Sequence, residues 1–217
     1  MAIICLVMGK SGSGHSTSLR NFDPDKVGLI NVLGKPLPFK GGHKFRSVVT
    51  DDYLRVISTL KKAQSDVIVI DDAGYLMTNQ FMRGHSSAGG GNGVFALYNQ
   101  IGDNFWNLIE EARVLPDHKR VYFMMHEEQN EFGVVKPKTI GKMVDEKVCL
   151  EGMFAIVLRA MVKDGKHIFR TQSDGLDVAK TPMGMFDSAE IDNDLAFVDE
   201  KICEYYEIDR GAPLLDK

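Results

Sequence analysis

The chain has 217 residues, of which 44% are hydrophobic and 26% are charged, and its net charge is −4. This composition is ordinary for a soluble globular protein, and the length suits one domain with a full hydrophobic core. No apolar run approaches the about 20 residues that a membrane-spanning helix requires. The N-terminus also shows no signal-peptide pattern. We therefore expect a cytoplasmic protein with no membrane partner.

Cysteine and histidine spacing gives no sign of a metal-binding framework. Cys5, Cys149 and Cys203 are widely separated and form no C-x-x-C pattern, so we expect reduced thiols. The six histidines also lack the spacing of metal ligands, and a structural zinc is not expected.

The first predicted element is a buried strand at residues 3–8, and a glycine-rich loop follows it. Residues 9–16 match the P-loop motif G-x-x-x-x-G-K-[ST] except that His15 stands where the lysine belongs. A helix is predicted to begin at Ser16. Strand, loop and helix in this order aim backbone N–H groups at phosphates. The predicted nucleotide-binding residues are Gly9, Lys10, Ser11, Gly12, Ser13, Gly14, His15, Ser16 and Thr17.

The histidine at position 15 bears on hydrolysis. Lysine brings a permanent positive charge to the β- and γ-phosphates, whereas free imidazole has a pKa of about 6.5 and is largely neutral at pH 7. We expect weaker nucleotide affinity and still weaker turnover. Lys10 could substitute, because MinD-like ATPases carry a lysine at this second motif position that reaches across a dimer. The alternative is that Lys10 is a solvated loop residue.

The remaining elements alternate between strands and helices along the chain. The strands are predicted at residues 27–32, 67–70 and 121–125, and a hairpin pairs 154–162 with 167–171. Helices are predicted at 51–63, 94–115 and around 191–205. Apolar residues expected to face the core are Leu54, Ile57 and Leu60 in the first helix, Phe95 and Trp106 in the second, and Ile191 and Tyr205 in the third.

This order predicts an α/β fold, with a mostly parallel central sheet flanked by helices and an antiparallel hairpin at one edge. We expect one domain at residues 1–206 and an acidic tail at 207–217.

Asp71 and Asp72 end the apolar strand 67–70, as the carboxylates of a Walker B motif do. Asp71 is predicted to hold Mg2+ together with the Ser16 hydroxyl. Asp72 could orient or deprotonate the attacking water. His126 follows the next predicted strand, where RecA-type ATPases place a polar residue that senses the γ-phosphate. A surface histidine at the start of a loop is the alternative.

Charge is unevenly distributed along the chain. Residues 187–217 contain ten Asp and Glu against three Lys and Arg, which leaves the rest of the chain net positive. Basic residues group at Lys35, Lys40, Lys44 and Arg46, and at Lys136, Lys138 and Lys142. A basic body with an acidic tail is typical of nucleic-acid binding, and ordinary solvated surface charge explains it as well. The Gly/Ser stretch at 84–93 is predicted to be a flexible loop, either one that orders on nucleic acid or a surface insertion.

Several segments resemble phage-encoded AAA/RecA-like ATP-binding proteins, including the Sak-type single-strand annealing recombinases. They are residues 9–22, 27–32, 34–39, 67–77, 138–142, 150–154 and 182–186. The resemblance extends to about residue 206. Two departures from it are the absence of the family's P-loop lysine and a longer glycine stretch at 84–93. It implies a RecA-like P-loop core that binds ATP and Mg2+. It further implies a homo-oligomer that binds single-stranded DNA and acts in recombination with a single-strand-binding protein.

Two other functions remain open. One is a scaffold that binds a nucleotide without turning it over. The other is a small-molecule or nucleotide kinase, against which stands the lack of an arginine-rich lid after the core.

Overall fold

The computed structural model describes residues 1–141 and 147–209, and within them nine strands form one mixed sheet. The order across the sheet is β3-β2-β4-β5-β1-β7-β8-β9, and β6 pairs with β5. The strands are β1 Ile3–Gly9, β2 Val27–Asn31, β3 Ser47–Val49, β4 Val67–Asp71, β5 Arg120–Gln129, β6 Val135–Pro137, β7 Ile156–Lys163, β8 Lys166–Arg170 and β9 Glu190–Asp192.

The centre of the sheet is parallel and one edge is antiparallel. β1 lies between β5 and β7 and is parallel to both, and β4 pairs in parallel with β2 and β5. β8 and β9 add antiparallel strands beyond β7. The prediction of an α/β fold with a mostly parallel sheet and an antiparallel edge hairpin is therefore confirmed.

Helices cover both faces of the sheet. They are α1 Tyr53–Lys62, α2 Gly74–Gly84, α3 Asn92–Arg113 and α4 Leu195–Tyr205. Leu60, Leu76 and Phe105 of the first three helices belong to one apolar cluster, to which β1 contributes Leu6. Val198 of α4 belongs to a second cluster. This cluster contains the β1 side chains that point to the opposite face of the sheet. Among the described residues, no helix combines the length and apolar character needed to cross a membrane.

The predicted core faces of two helices were partly wrong. In α1 the buried residues are Val56 and Leu60, and Leu54 is 79% exposed. In α3, Phe95 is 67% exposed and Trp106 is 47% exposed, although Ile101 and Phe105 are buried as expected. The helical period assigned Leu54 to the core, whereas Phe95 and Trp106 were expected there as large aromatic side chains, and folded proteins do expose individual side chains of this kind.

The last helix begins later than its apolar pattern suggested. Asp194 caps it by accepting hydrogen bonds from the backbone N–H groups of Ala196 and Phe197, and an Asp at this position is a strong helix start. Ile191 therefore lies in β9, and Tyr205 at the other end of α4 is 42% exposed.

Candidate functional site

The glycine loop connects the end of β1 to a short 3-10 helix at Ser16–Asn21. Gly14 has a φ of +100°, and a Cβ there would lie 2.8 Å from Nδ1 of His167. Gly9 is equally constrained, because a Cβ would lie 2.2 Å from Oγ of Ser13. Gly14 is required by its left-handed backbone, and Gly9 is required by the close packing around it.

The helix predicted after the loop does begin at Ser16, but it has the 3-10 form and is only six residues long. Phe22 at its end is extended, and Asp23-Pro24 follows directly. Because proline disfavours the α conformation of the residue before it, the helix cannot continue. Any macrodipole at the loop is correspondingly small, and phosphate binding here would depend on backbone N–H groups of the loop.

The loop and the end of β4 meet through one side-chain hydrogen bond. The Ser16 hydroxyl donates to Oδ1 of Asp71 at 2.7 Å. Burial raises the pKa of Asp71 to about 6, and the neighbouring Asp72 adds to the rise against the opposing effect of the Ser16 hydrogen bond. The structure thus brings together the two residues predicted to hold Mg2+.

Asp72 lies directly after β4 and is almost fully buried. Its backbone is left-handed with a φ of 58°, an uncommon conformation for a residue other than glycine. Nζ of Lys35 lies 2.7 Å from Oδ2 of Asp72. Nε2 of His126 lies 3.6 Å from Oδ1, which is beyond hydrogen-bonding distance.

His15 lies inside this cluster and is only 7% exposed. Its ring meets that of His126 edge to face, with 5.3 Å between the centroids. Burial lowers the pKa of His15 to about 4, and His126 contributes to the fall. The imidazole is therefore neutral at pH 7, and the position of the P-loop lysine carries no positive charge.

His126 lies within β5, which continues past it to Gln129, so it does not begin a loop. The register places it opposite Gly9, the last residue of β1. The ring of His126 also contacts the ring of Tyr75 in α2, with 5.7 Å between the centroids. His126 contacts the glycine loop through the His15 ring, and its Nε2 lies 3.6 Å from Asp72.

Lys10 and Ser11 in the loop are exposed, and Ser13 is buried. Among the described residues, Lys35 brings an ammonium group to the site, where it pairs with Asp72. It follows β2, where Asn31 holds the turn in place: its side chain accepts from the Gly34 N–H and donates to the Lys35 carbonyl, both at 2.7 Å. The sequence placed Lys35 among the basic residues of the body. Its position after a strand-ending Asn and a Gly-Lys-Pro turn was the signal that could have revealed it.

A second residue that the sequence did not reveal is His167 of β8. Its Nδ1 lies 2.9 Å from the carbonyl oxygen of Ser13 and so fixes the loop backbone to the sheet edge. Thr17 lines a neighbouring cleft of about 520 Å³ together with Arg20 and His167. Lys142 of the predicted basic group lies outside the described residues.

No protein-family model matches the chain, and no curated protein matches it. The fold and the site must therefore support any functional conclusion.

Proposed function

We propose that this chain is an ATP- and Mg2+-binding protein with a RecA-like P-loop core, acting as an oligomer on single-stranded DNA in phage recombination or annealing. The observation that carries the nucleotide part is the hydrogen bond from Ser16 to Asp71. A hydroxyl that follows a glycine loop and a carboxylate that ends a strand are the two oxygen ligands that P-loop proteins offer to Mg2+.

The strand order supports the same proposal. β5 separates the loop strand β1 from the acidic strand β4, and it presents His126 towards both. In a bound state the loop N–H groups would hold the phosphates and Ser16 with Asp71 would hold Mg2+. Asp72 and His126 would then lie near the γ-phosphate, where an acid can orient water.

The second candidate function is a nucleotide-dependent scaffold without turnover. It is favoured by His15, which is buried and neutral where a P-loop protein has a lysine. Transition-state charge on the transferring phosphoryl group would then lack one cation, which slows chemistry more than binding. Lys35 places an ammonium group 2.7 Å from Oδ2 of Asp72 and could provide part of that charge.

The test is Mg2+-dependent ATP binding, measured by calorimetry with Mg2+ or with EDTA. We expect Ser16→Ala and Asp71→Asn to lose at least about tenfold of the Mg2+-dependent affinity, because each removes a ligand for a hard cation. Ser47→Ala and Asp103→Asn are matched controls on exposed positions of β3 and α3 and should bind as the wild type does.

Equal Mg2+ dependence in all five proteins would refute the nucleotide site. Turnover measured with and without single-stranded DNA then separates the two candidate functions. DNA-stimulated hydrolysis supports the recombination ATPase, and binding without hydrolysis supports the scaffold.

A further inference from the structure

Three side chains of the site are arranged as metal ligands independently of Ser16 and Asp71. His15, Asp72 and His126 each offer one ligand atom, and these atoms lie within 4.8 Å of one another. His15 is in the loop, Asp72 follows β4, and His126 is in β5. Because these residues are far apart in the sequence, no sequence motif reveals the cluster.

Two of these side chains have buried polar atoms that lack partners. Among residues 1–141 and 147–209, neither Nδ1 of His15 nor Oδ1 of Asp72 forms a hydrogen bond. His15 is 7% exposed and Asp72 is 2% exposed. Buried polar atoms without partners cost about 1–3 kcal/mol each, so a native structure that keeps them calls for an explanation such as a missing ion.

We propose that His15, Asp72 and His126 bind a transition-metal dication of the zinc class. Two imidazoles and a carboxylate suit Zn2+, Co2+ or Ni2+, whereas Mg2+ prefers oxygen ligands alone. Three protein ligands leave one position open for water or a ligand oxygen. The site is separate from the Ser16–Asp71 pair, although the two are adjacent through the peptide bond between Asp71 and Asp72.

The geometry needs only a small rearrangement. Ligand atoms of a tetrahedral Zn2+ site lie about 3.3 Å apart at Zn–N distances of about 2.0–2.1 Å. The His126 side chain is 23% exposed and its Nε2 is not hydrogen-bonded to Asp72, so this ring can turn towards a metal.

Lys35 is the competitor for this site. Its ammonium pairs with Oδ2 of Asp72, but the side chain is 57% exposed and can move to solvent. A dication that replaces this ammonium would neutralise more of the charge of the acidic pair. A metal here would also place positive charge where the P-loop lysine is absent. That consequence depends on the proposed function, whereas metal binding itself does not.

The test is titration of the nucleotide-free, untagged protein with Co2+, followed by displacement with Zn2+. We expect one Co2+ per chain with the strong visible absorption of a tetrahedral site. His15→Gln, His126→Gln and Asp72→Asn should each weaken binding at least tenfold, since removal of even a supporting group costs about 10–100-fold. His43→Gln alters an exposed histidine and should change nothing. Lys35→Ala should tighten binding at least about threefold by removing the competing cation.

Absence of saturable binding by the wild type would overturn the proposal, and that measurement does not depend on whether any variant folds. Wild-type affinity in both histidine variants, with folding verified by circular dichroism, would also overturn it, as would weaker binding by Lys35→Ala. Failure here leaves the Mg2+-dependent ATP measurement unaffected, because that measurement relies on Ser16 and Asp71.

Discussion

At the scale of single residues, the site combines a carboxylate pair with a neutral imidazole in the position of a lysine. Ser16 and Asp71 could be anticipated because motif and strand end are both local patterns. The Asn31 turn after β2 was a local signal for Lys35, although its contact with Asp72 appears only in the fold. His167 could not be anticipated, because its contact with the Ser13 carbonyl depends on how distant segments meet. The neutrality of His15 likewise follows from burial, which the sequence does not display.

We predict that His15→Lys raises ATP turnover at least tenfold, which corresponds to about 1.4 kcal/mol of transition-state stabilisation. The reason is that a permanent ammonium would replace a buried neutral ring beside the proposed phosphate site. Steady-state phosphate release measures it, and His43→Lys adds the same charge at an exposed position as a control.

Equal turnover in the wild type and His15→Lys would mean that another cation already fills the role, with Lys35 as the first to examine. His15→Lys should also lose the proposed metal site. The variant is therefore expected to raise ATP turnover and to weaken metal binding.

At the scale of elements, strands were predicted better than helix faces. The continuous apolar runs of β1, β4 and β5 are typical of strands buried on both sides, and their positions agree within a few residues. Periodicity gave the wrong exposure for Leu54 because it cannot tell which of several apolar residues the sheet covers. β9 is only three residues long, and its sequence has no apolar pattern that predicts a strand. It is a strand because it pairs with β8.

A buried ion pair between Arg120 and Asp199 anchors α4 to the sheet. Arg120 of β5 donates from Nε and Nη2 to the Asp199 carboxylate, each at 2.9 Å. The Tyr122 hydroxyl donates to the same carboxylate at 2.7 Å. Bidentate pairing of this kind compensates a buried guanidinium, and its loss leaves that charge without a partner.

We therefore predict that Asp199→Ala lowers the free energy of unfolding by about 3–5 kcal/mol. Urea denaturation followed by circular dichroism measures it. Glu204→Ala is the control in the same helix: Glu204 pairs with Lys201 at the surface, and such a pair is worth about 0–1 kcal/mol. A similar small loss in both variants would show that the buried group does not anchor α4.

At the scale of the whole molecule, half of the ten acidic residues in 187–217 lie on β9 and α4. Glu190 and Asp192 are in β9, whereas Asp199, Glu200 and Glu204 are in α4. Residues 210–217 lie outside the described part of the chain. Composition alone could not show that half of these carboxylates belong to folded elements rather than to a tail.

Basic side chains between β2 and β3 are candidates for the phosphate contacts of the proposed DNA interface. Lys40, Lys44 and Arg46 are all exposed there. Lys35, in the same connection, pairs with Asp72 at the nucleotide site. If this segment contacts DNA, the candidate nucleotide site and the DNA surface share one stretch of chain, and binding of one ligand can influence the other.

We predict that the protein binds single-stranded DNA with an affinity that falls steeply with salt. Each phosphate contact adds about −0.7 to the slope of log K against log salt concentration, because displaced counterions are released. Replacement of Lys40, Lys44 and Arg46 by alanine should reduce the slope by about 2.

A triple variant of the exposed Lys26, Arg55 and Lys62 controls for net charge and should keep most of the slope. Fluorescence anisotropy over a salt series, with a non-hydrolysable ATP analogue present, measures both. Absence of binding at low salt would refute the DNA proposal, and equal slopes in the two triple variants would remove this segment from the interface.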